Sequence, residues 1–198
     1  EEMRRRVERE FQELKKMGTL TLPKAELDRI AAYFAPPAFE TGLPDTIPDA
    51  GPDFANWVKT NVNRHKAPGY AIATITLKTP GQVPGDATAE QMEAIADIMD
   101  EFSVGEVRVT HEQNLVLPHV RKKDLPAIHA RLKELDFAAP NAGLITDIIA
   151  CPGLDYCDLA NARSIPIAQK IAKRFENLDR QHEIGELKIK ISGCINAC

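Results

Sequence analysis

The sequence lacks the features that assign a protein to a membrane, to a secretory route or to nucleic acid. None of its apolar runs approaches the roughly 18 residues of a membrane span, and its N-terminus has no signal-peptide pattern. The net charge of −4 offers no basic surface to a polyanion. The composition therefore argues against membrane and nucleic-acid partners and predicts a cytoplasmic globular protein.

Several catalytic patterns are missing as well. The sequence has no Ser–His–Asp arrangement, no phosphate-binding glycine loop and no paired-carboxylate motif. No two of the five histidines have metal-ligand spacing. A lone histidine is more often a surface or satisfied polar residue than a ligand, so we assign no role to any of them.

Cysteine is scarce, and all four cysteines lie in the last quarter of the chain. They form two pairs, Cys151 with Cys157 and Cys194 with Cys198, with the 36 residues 158–193 between the pairs. Four thiolates from two loops are what a [4Fe–4S] cluster needs, one for each iron. Spacing alone leaves three alternatives open: structural zinc, disulfides, and unconnected buried thiols.

The residues around these cysteines form a specific pattern. Cys-Pro-Gly-x-x-x-Cys-x-Leu-Ala-x-Ala is followed by a predicted strand that ends in Ser-Gly-Cys-x-Asn-x-Cys. This pattern resembles the cluster motif of the siroheme-dependent sulfite and nitrite reductases, at the front of their second half. The resemblance implies that Cys151, Cys157, Cys194 and Cys198 hold a [4Fe–4S] cluster, and that the Cys198 thiolate also touches the siroheme iron.

A second segment resembles a stretch that lines the siroheme in the same family. The family pattern Arg-x-Thr-x-x-Gln-Asn-Leu is matched here by Arg108, Thr110, Gln113 and Asn114. Siroheme carries eight carboxylates, so its pocket needs cationic and hydrogen-bonding side chains. The alternative is a solvent-facing arginine followed by an ordinary turn.

Two further residues near the second cysteine pair are candidates for the same cofactor. Asn196 matches a family position near the siroheme, although asparagine is also a common turn former. Lys190 lies four residues before Cys194 and is a candidate for reaching a siroheme carboxylate. For Lys188 and Lys190 alike, the alternative is a solvent-exposed position on one face of a strand.

Hydrophobic periodicity predicts an α+β fold that continues into an α/β segment. The predicted helices cover residues 1–17, 24–35, 88–99 and 124–135. The third of these has Thr88 as its cap and Gln91 three residues later. The predicted strands cover residues 70–77, 106–110 and 114–117. Strand, helix, two strands and helix make a half ferredoxin-like unit. A Pro- and Gly-rich loop precedes it, and Trp57 marks the start of the unit.

The C-terminal segment is predicted to begin an α/β iron–sulfur and siroheme domain. Strands at residues 144–149 and 186–191 would each deliver a cysteine loop, joined by a helix at residues 158–175 that Pro166 bends or restarts. The predicted domains are residues 1–65, 66–140 and a truncated 141–198. A chain that ends on a proposed ligand is expected to be a piece of a longer polypeptide.

The resemblance implies a fragment of an assimilatory sulfite reductase hemoprotein, which reduces sulfite to sulfide with six electrons. The alternatives are a nitrite reductase that forms ammonia, an iron–sulfur electron-carrier module without siroheme, and a zinc-stabilised interaction domain. Expected partners are the remainder of the polypeptide, an electron donor (ferredoxin or a flavoprotein) and a small anion. The family's substrate-binding cations lie mainly in its first half, so no catalytic residue is expected in this fragment, which alone should be inactive.

Overall fold

The computed structural model describes residues 1–18 and 20–196. The chain divides into two compact units, residues 1–38 and the chain from Phe39 onward. The first unit holds helices α1 (Glu2–Lys16) and α2 (Lys24–Tyr33), both as predicted, and neither helix has a buried residue. Within the described ranges, no helix is long and apolar enough to cross a membrane.

The second unit is built on a four-stranded antiparallel sheet of order β1-β2-β4-β3. Its strands are β1 (Val62–Arg64), β2 (Tyr70–Ile75), β3 (Arg108–Val109) and β4 (Leu115–Arg121), and its helices are α3 (Pro52–Asn61), α4 (Ala89–Phe102) and α5 (Leu125–Glu134). The helices α3 and α4 pack on the sheet, and α5 packs on α3. This arrangement confirms the predicted half ferredoxin-like unit.

Helix α3 was not predicted, although its signals are in the sequence. It begins at Pro52, which lacks the N–H that the first turn of a helix leaves unpaired anyway. Phe54, Trp57 and Asn61 recur at helical spacing and are buried on one face. The side chain of Trp57 is fully buried, so α3 is anchored to the core of the sheet.

Helix α4 begins as its sequence predicts. The Thr88 hydroxyl accepts a hydrogen bond from the Gln91 backbone N–H at 3.2 Å, and the Gln91 side chain accepts one from the Thr88 N–H at 2.9 Å. This capping box pairs two amides that the helix itself cannot satisfy. A cap of this kind contributes on the order of 1 kcal/mol.

The C-terminal segment holds a two-stranded parallel sheet, β5 (Ile149–Ala150) with β6 (Lys190–Ile191), and helices α6 (Ile165–Arg174) and α7 (Leu178–Ile184). Three predictions were wrong in extent. The two strands occupy only the ends of the predicted ranges, and the helix begins at residue 165 instead of 158. Pro166 lies in the first turn of α6, where proline is tolerated, so it starts this helix and does not bend it.

Candidate functional site

The parallel pairing of β5 and β6 brings two cysteine loops to the same edge of the sheet. Cys151 directly follows β5, and its N–H donates to the carbonyl of Ile191, the last residue of β6, at 2.9 Å. Cys194 lies three residues beyond Ile191. The expectation that the Cys151 and Cys194 loops lie at neighbouring strand ends is therefore confirmed.

The two loops also contact each other through their backbones. The carbonyl of Gly193 accepts hydrogen bonds from the N–H groups of Asn161 at 2.8 Å and Ala162 at 3.1 Å. A Cβ atom on Gly193 would lie 2.8 Å from the Cα of Gly153, closer than carbon atoms can approach. Glycine at both positions is thus what allows the loops to touch, and the contact holds the distance between them.

Three of the four predicted ligands lie in the described residues. Cys151 is buried, Cys157 and Cys194 are partly buried, and none of the three forms a disulfide. The fourth, Cys198, lies outside the described residues. Within residues 1–18 and 20–196, no three His, Cys, Asp or Glu side chains are grouped closely enough to hold a single metal ion.

The surroundings of Cys151 fit an iron–sulfur cluster. The N–H of Gly153 points at the Cys151 sulfur, with 3.4 Å between the two atoms, and hydrogen bonds to ligand sulfurs are one means by which proteins tune such clusters. A cube binds each thiolate to a different iron, so its ligands surround a volume and do not converge on one ion. The donor set and the loop geometry are compatible with that arrangement.

The residues predicted to contact siroheme do not all line one cavity. Thr110 and Asn114 line a polar cleft of about 690 Å³. Gln113 lines a different cavity of about 350 Å³, next to Ala150. Arg108 lines neither and is exposed at the sheet edge, where it pairs with Glu106.

Gln113 connects the half ferredoxin-like unit to the strand that carries Cys151. Its side-chain amide donates to the carbonyl of Ala150 at 3.0 Å and accepts from the Ala150 N–H at 3.1 Å. The residue has φ +59°, a left-handed conformation that is uncommon for a side chain of this size. Gln113 therefore pairs with β5 as a neighbouring strand would, one residue before the cysteine.

Asn114 belongs to a buried polar network that was not predicted from the sequence. Its side-chain oxygen accepts from the Lys78 ammonium at 3.2 Å, and its amide nitrogen donates to Asp147 at 3.0 Å. Lys78 and Asp147 form an ion pair at 3.0 Å with side chains only 1% and 6% exposed. Burial lowers the pKa of Lys78, and the charge of Asp147 opposes that shift.

A second unpredicted cluster contains two buried histidines. The N–H of Ala67 donates to His65 Nδ1 at 2.9 Å, so a neutral His65 carries its proton on Nε2. That nitrogen lies 3.1 Å from His119 Nδ1, and His119 Nε2 lies 3.3 Å from a Glu106 carboxylate oxygen. The three side chains form a continuous hydrogen-bonded chain inside the half ferredoxin-like unit.

The remaining candidates lie on the surface. Lys188 is exposed and pairs with Glu112 at 3.1 Å, which raises the pKa of the lysine. Lys190 is exposed on β6, and Asn196 is exposed next to the end of the described chain. The solvent-facing positions expected for the two lysines are confirmed, and a role of Lys190 or Asn196 in cofactor binding remains a prediction.

Comparison with known proteins gives a consistent result. Residues 65–135 match the family described as the nitrite/sulfite reductase ferredoxin-like half domain. The chain is 29% identical over 154 residues to a ferredoxin–nitrite reductase of Synechococcus elongatus, covering 75% of this chain and 28% of that protein. It is 28% identical over 179 residues to a sulfite reductase [NADPH] hemoprotein beta-component of Nitrobacter hamburgensis, covering 88% of this chain and 29% of that protein.

Among solved structures, the NirA protein of Mycobacterium tuberculosis has a similar fold. The two superpose with a TM-score of 0.57 at 24% sequence identity, covering 70% of this chain and 25% of that one. This chain thus spans less than a third of the length of each of these relatives. Residues 65–135 thus match the ferredoxin-like half domain of nitrite and sulfite reductases, and the chain is similar to members of that family over 75% to 88% of its length.

Proposed function

We propose that this chain is the cluster-bearing segment of a sulfite reductase hemoprotein, which reduces sulfite to sulfide with siroheme coupled to a [4Fe–4S] cluster. The observation that carries the proposal is the placement of the Cys151 and Cys194 loops side by side at the ends of β5 and β6. The half-domain match to nitrite and sulfite reductases supports it.

In this proposal the cluster is held by Cys151, Cys157, Cys194 and Cys198. When bound, the cluster supplies one-electron transfer to the siroheme, which suits a six-electron reduction that proceeds in single-electron steps. The residues of this chain keep the ligand loops together through the Gly153–Gly193 contact. Gln113 holds β5 in place from the other side.

Siroheme contacts are proposed for Arg108, Thr110, Gln113, Asn114, Asn196 and Cys198. Thr110 is the best placed of the described ones, because it lines the polar cleft together with Lys59 and Lys188. Asn114 also lines the cleft, but its side-chain amide is already bonded to Lys78 and Asp147. The cleft volume of about 690 Å³ lies within the usual range of small-molecule sites. The carboxylates of Glu112, Asp147 and Glu186 line the same cleft, and Lys188 is paired with Glu112 at 3.1 Å, so Lys59 is the lysine left to meet a carboxylate of the ligand.

The alternative substrate is nitrite, reduced to ammonia. Both activities occur in the names of the relatives, and those from Synechococcus elongatus and Zea mays are named for ferredoxin as well. The maize protein is 32% identical over 120 residues, covering 58% of this chain and 20% of that one. We propose ferredoxin as the electron donor, with a flavoprotein as the alternative.

The experiment that tests the proposal is metal and sulfide analysis of the anaerobically purified full-length protein, together with its visible spectrum. Iron, acid-labile sulfide and a tetrapyrrole absorption band are expected. Cluster without tetrapyrrole would favour an electron-carrier module, and zinc without sulfide would favour a structural interaction domain. Sulfite and nitrite are then compared as substrates with reduced viologen.

Matched variants separate the ligand roles. Cys151→Ser removes a cluster ligand, while Cys198→Ser removes a ligand and the proposed bridge to siroheme together. Cys198→Ser is therefore expected to abolish turnover and to alter the siroheme spectrum. Ile195→Ala is the control, because this neighbouring side chain is 96% exposed. Normal turnover with both cofactors retained in Cys198→Ser would contradict the assignment.

A further inference from the structure

The hydroxyl of Ser164 is buried but has no hydrogen-bond partner in the described part of the chain. The residue is 1% exposed, and its Oγ pairs with no atom of residues 1–18 or 20–196. A hydroxyl taken out of water without a partner destabilises the fold, so most buried hydroxyls are hydrogen-bonded. Next to two cysteine loops, such a hydroxyl is available as a donor to a group held there.

The usual role of a serine at this position does not account for the hydroxyl. Ser164 is the N-cap residue of α6, where serine ordinarily accepts a hydrogen bond from a backbone N–H of the first turn. Here its backbone is helical, with φ −81° and ψ −40°, and its side chain makes no capping bond. The Ser164 carbonyl accepts from the Ala168 N–H at 3.0 Å, as in any helix. The hydroxyl is therefore not used to begin the helix.

Ser164 Oγ lies where the two cysteine loops touch. A Cβ atom on Gly153 would lie 3.0 Å from it, and a Cβ atom on Gly193 would lie 3.3 Å from it. Gly153 donates its N–H to the Cys151 sulfur, and Gly193 directly precedes Cys194. The hydroxyl is thus next to backbone that belongs to one ligand of each cysteine pair.

We propose that Ser164 donates its hydroxyl hydrogen to a sulfur of the [4Fe–4S] cluster held by these loops, and so raises the reduction potential of the cluster. The inference rests on the proposed function, because the cluster supplies the acceptor. Sulfur atoms of a cluster carry more negative charge after reduction, so a hydrogen bond to them stabilises the reduced form. The serine contributes through this bond and not through helix capping.

The test is a redox titration of the cluster, followed by electron paramagnetic resonance, in the cofactor-loaded full-length protein. Ser164→Ala is expected to shift the midpoint potential to a more negative value with the iron content unchanged. Ser103→Ala is the matched control. Ser103 is also fully buried with an unpaired Oγ, but it ends α4 in the half ferredoxin-like unit. Equal potentials in Ser164→Ala and the wild type would overturn the proposal.

A second measurement covers a Ser164→Ala protein that holds its cluster too weakly for titration. Without iron and sulfide, Ser164→Ala is expected to raise the melting temperature, because it removes an unpaired buried hydroxyl. With cofactor present it is expected to lower the melting temperature, whereas Ser103→Ala should change both forms alike. A change of the same sign in both forms of Ser164→Ala would overturn the role of Ser164. A wild-type protein without iron and labile sulfide would overturn the proposed function itself.

Discussion

The buried Lys78–Asp147 pair is a single-residue feature with a large expected effect on stability. Asp147→Asn leaves the ammonium of Lys78 without a counter-charge, and it sets an amide against the Gly143 N–H that now donates to Asp147 Oδ2 at 2.9 Å. Breaking such a pair on one side typically lowers the free energy of unfolding by about 3–5 kcal/mol. Chemical denaturation measures this free energy of unfolding. The control is Lys188→Ala, which breaks an exposed ion pair and should have only a small effect. An equally small effect of Asp147→Asn would contradict the prediction.

The buried histidine His119 predicts a loss of stability in acid. Burial is the main reason that its pKa is lowered; Glu106 opposes the shift, while His65 and Arg108 add to it. Since histidine in an unfolded chain has a pKa near 6.5, the unfolded protein binds more protons below that pH. The contribution of neutral His119 to the free energy of unfolding is therefore complete above about pH 6.5, and it declines as the pH falls toward the lowered pKa.

Unfolding measured as a function of pH tests the His119 prediction. The free energy of unfolding should decrease less steeply between about pH 6.5 and 5 in His119→Gln, which cannot take up this proton. A residual slope is expected from His129, whose pKa is also lowered mainly by burial. Identical slopes in His119→Gln and the wild type would show that His119 does not contribute.

At the scale of elements, the contact between the cysteine loops is expected to control cluster binding. Gly193→Ala would place a Cβ atom 2.8 Å from the Cα of Gly153 and 3.1 Å from the carbonyl oxygen of Ala162. Since backbone atoms cannot move aside alone, the loops must separate. Anaerobic reconstitution should give less iron per chain than in the wild type, with little change in circular dichroism. Ile195→Ala serves as the control, and full iron content in Gly193→Ala would contradict this prediction.

Elements with local signals were predictable from the sequence, and those set by distant contacts were not. Thr88 and Gln91 mark the start of α4 because their capping bonds are local. Residues 144–149 are mostly apolar, as in a buried strand, but the Gly143 N–H and Asn114 both pair with Asp147, which turns the chain. No local pattern marks Lys78 as buried, because its partner Asp147 lies 69 residues away.

In the candidate site, too, residues with a local signal were predictable and residues placed by distant contacts were not. Cysteine spacing and flanking glycines identified the two loops, since those residues are themselves the contact. Ser164 gave no signal, because a serine before Ile165-Pro166 looks like an ordinary helix cap. The amide of Gln113 matched a family motif, yet its two bonds to Ala150 depend on a tertiary contact that no local pattern encodes. The domain division at residues 65 and 140 remains a prediction.

For the whole molecule, we expect that this chain alone reduces neither sulfite nor nitrite. It spans 20% to 29% of the length of three reductase relatives, so most of the surface that would enclose the cofactors belongs to other sequence. The open cleft beside the sheet and the unpaired edge of β3 favour self-association. The measurement is anaerobic reconstitution with iron, sulfide and siroheme, followed by a reduced-viologen assay. Dye oxidation that depends on substrate and exceeds a cofactor-only control would contradict it.

The pairing of β5 with β6 has a consequence for the order in which the protein matures. In a zinc finger the metal itself closes the loop between its ligands, so the apo chain is unfolded. Here the two ends of the 36-residue segment between the cysteine pairs are brought together by the backbone hydrogen bonds of β5 and β6 and by the packing of α6 on these strands. In the proposed function, we therefore expect folding to offset the entropy of loop closure, and the cluster to be inserted late, as an intact unit, into a folded apoprotein.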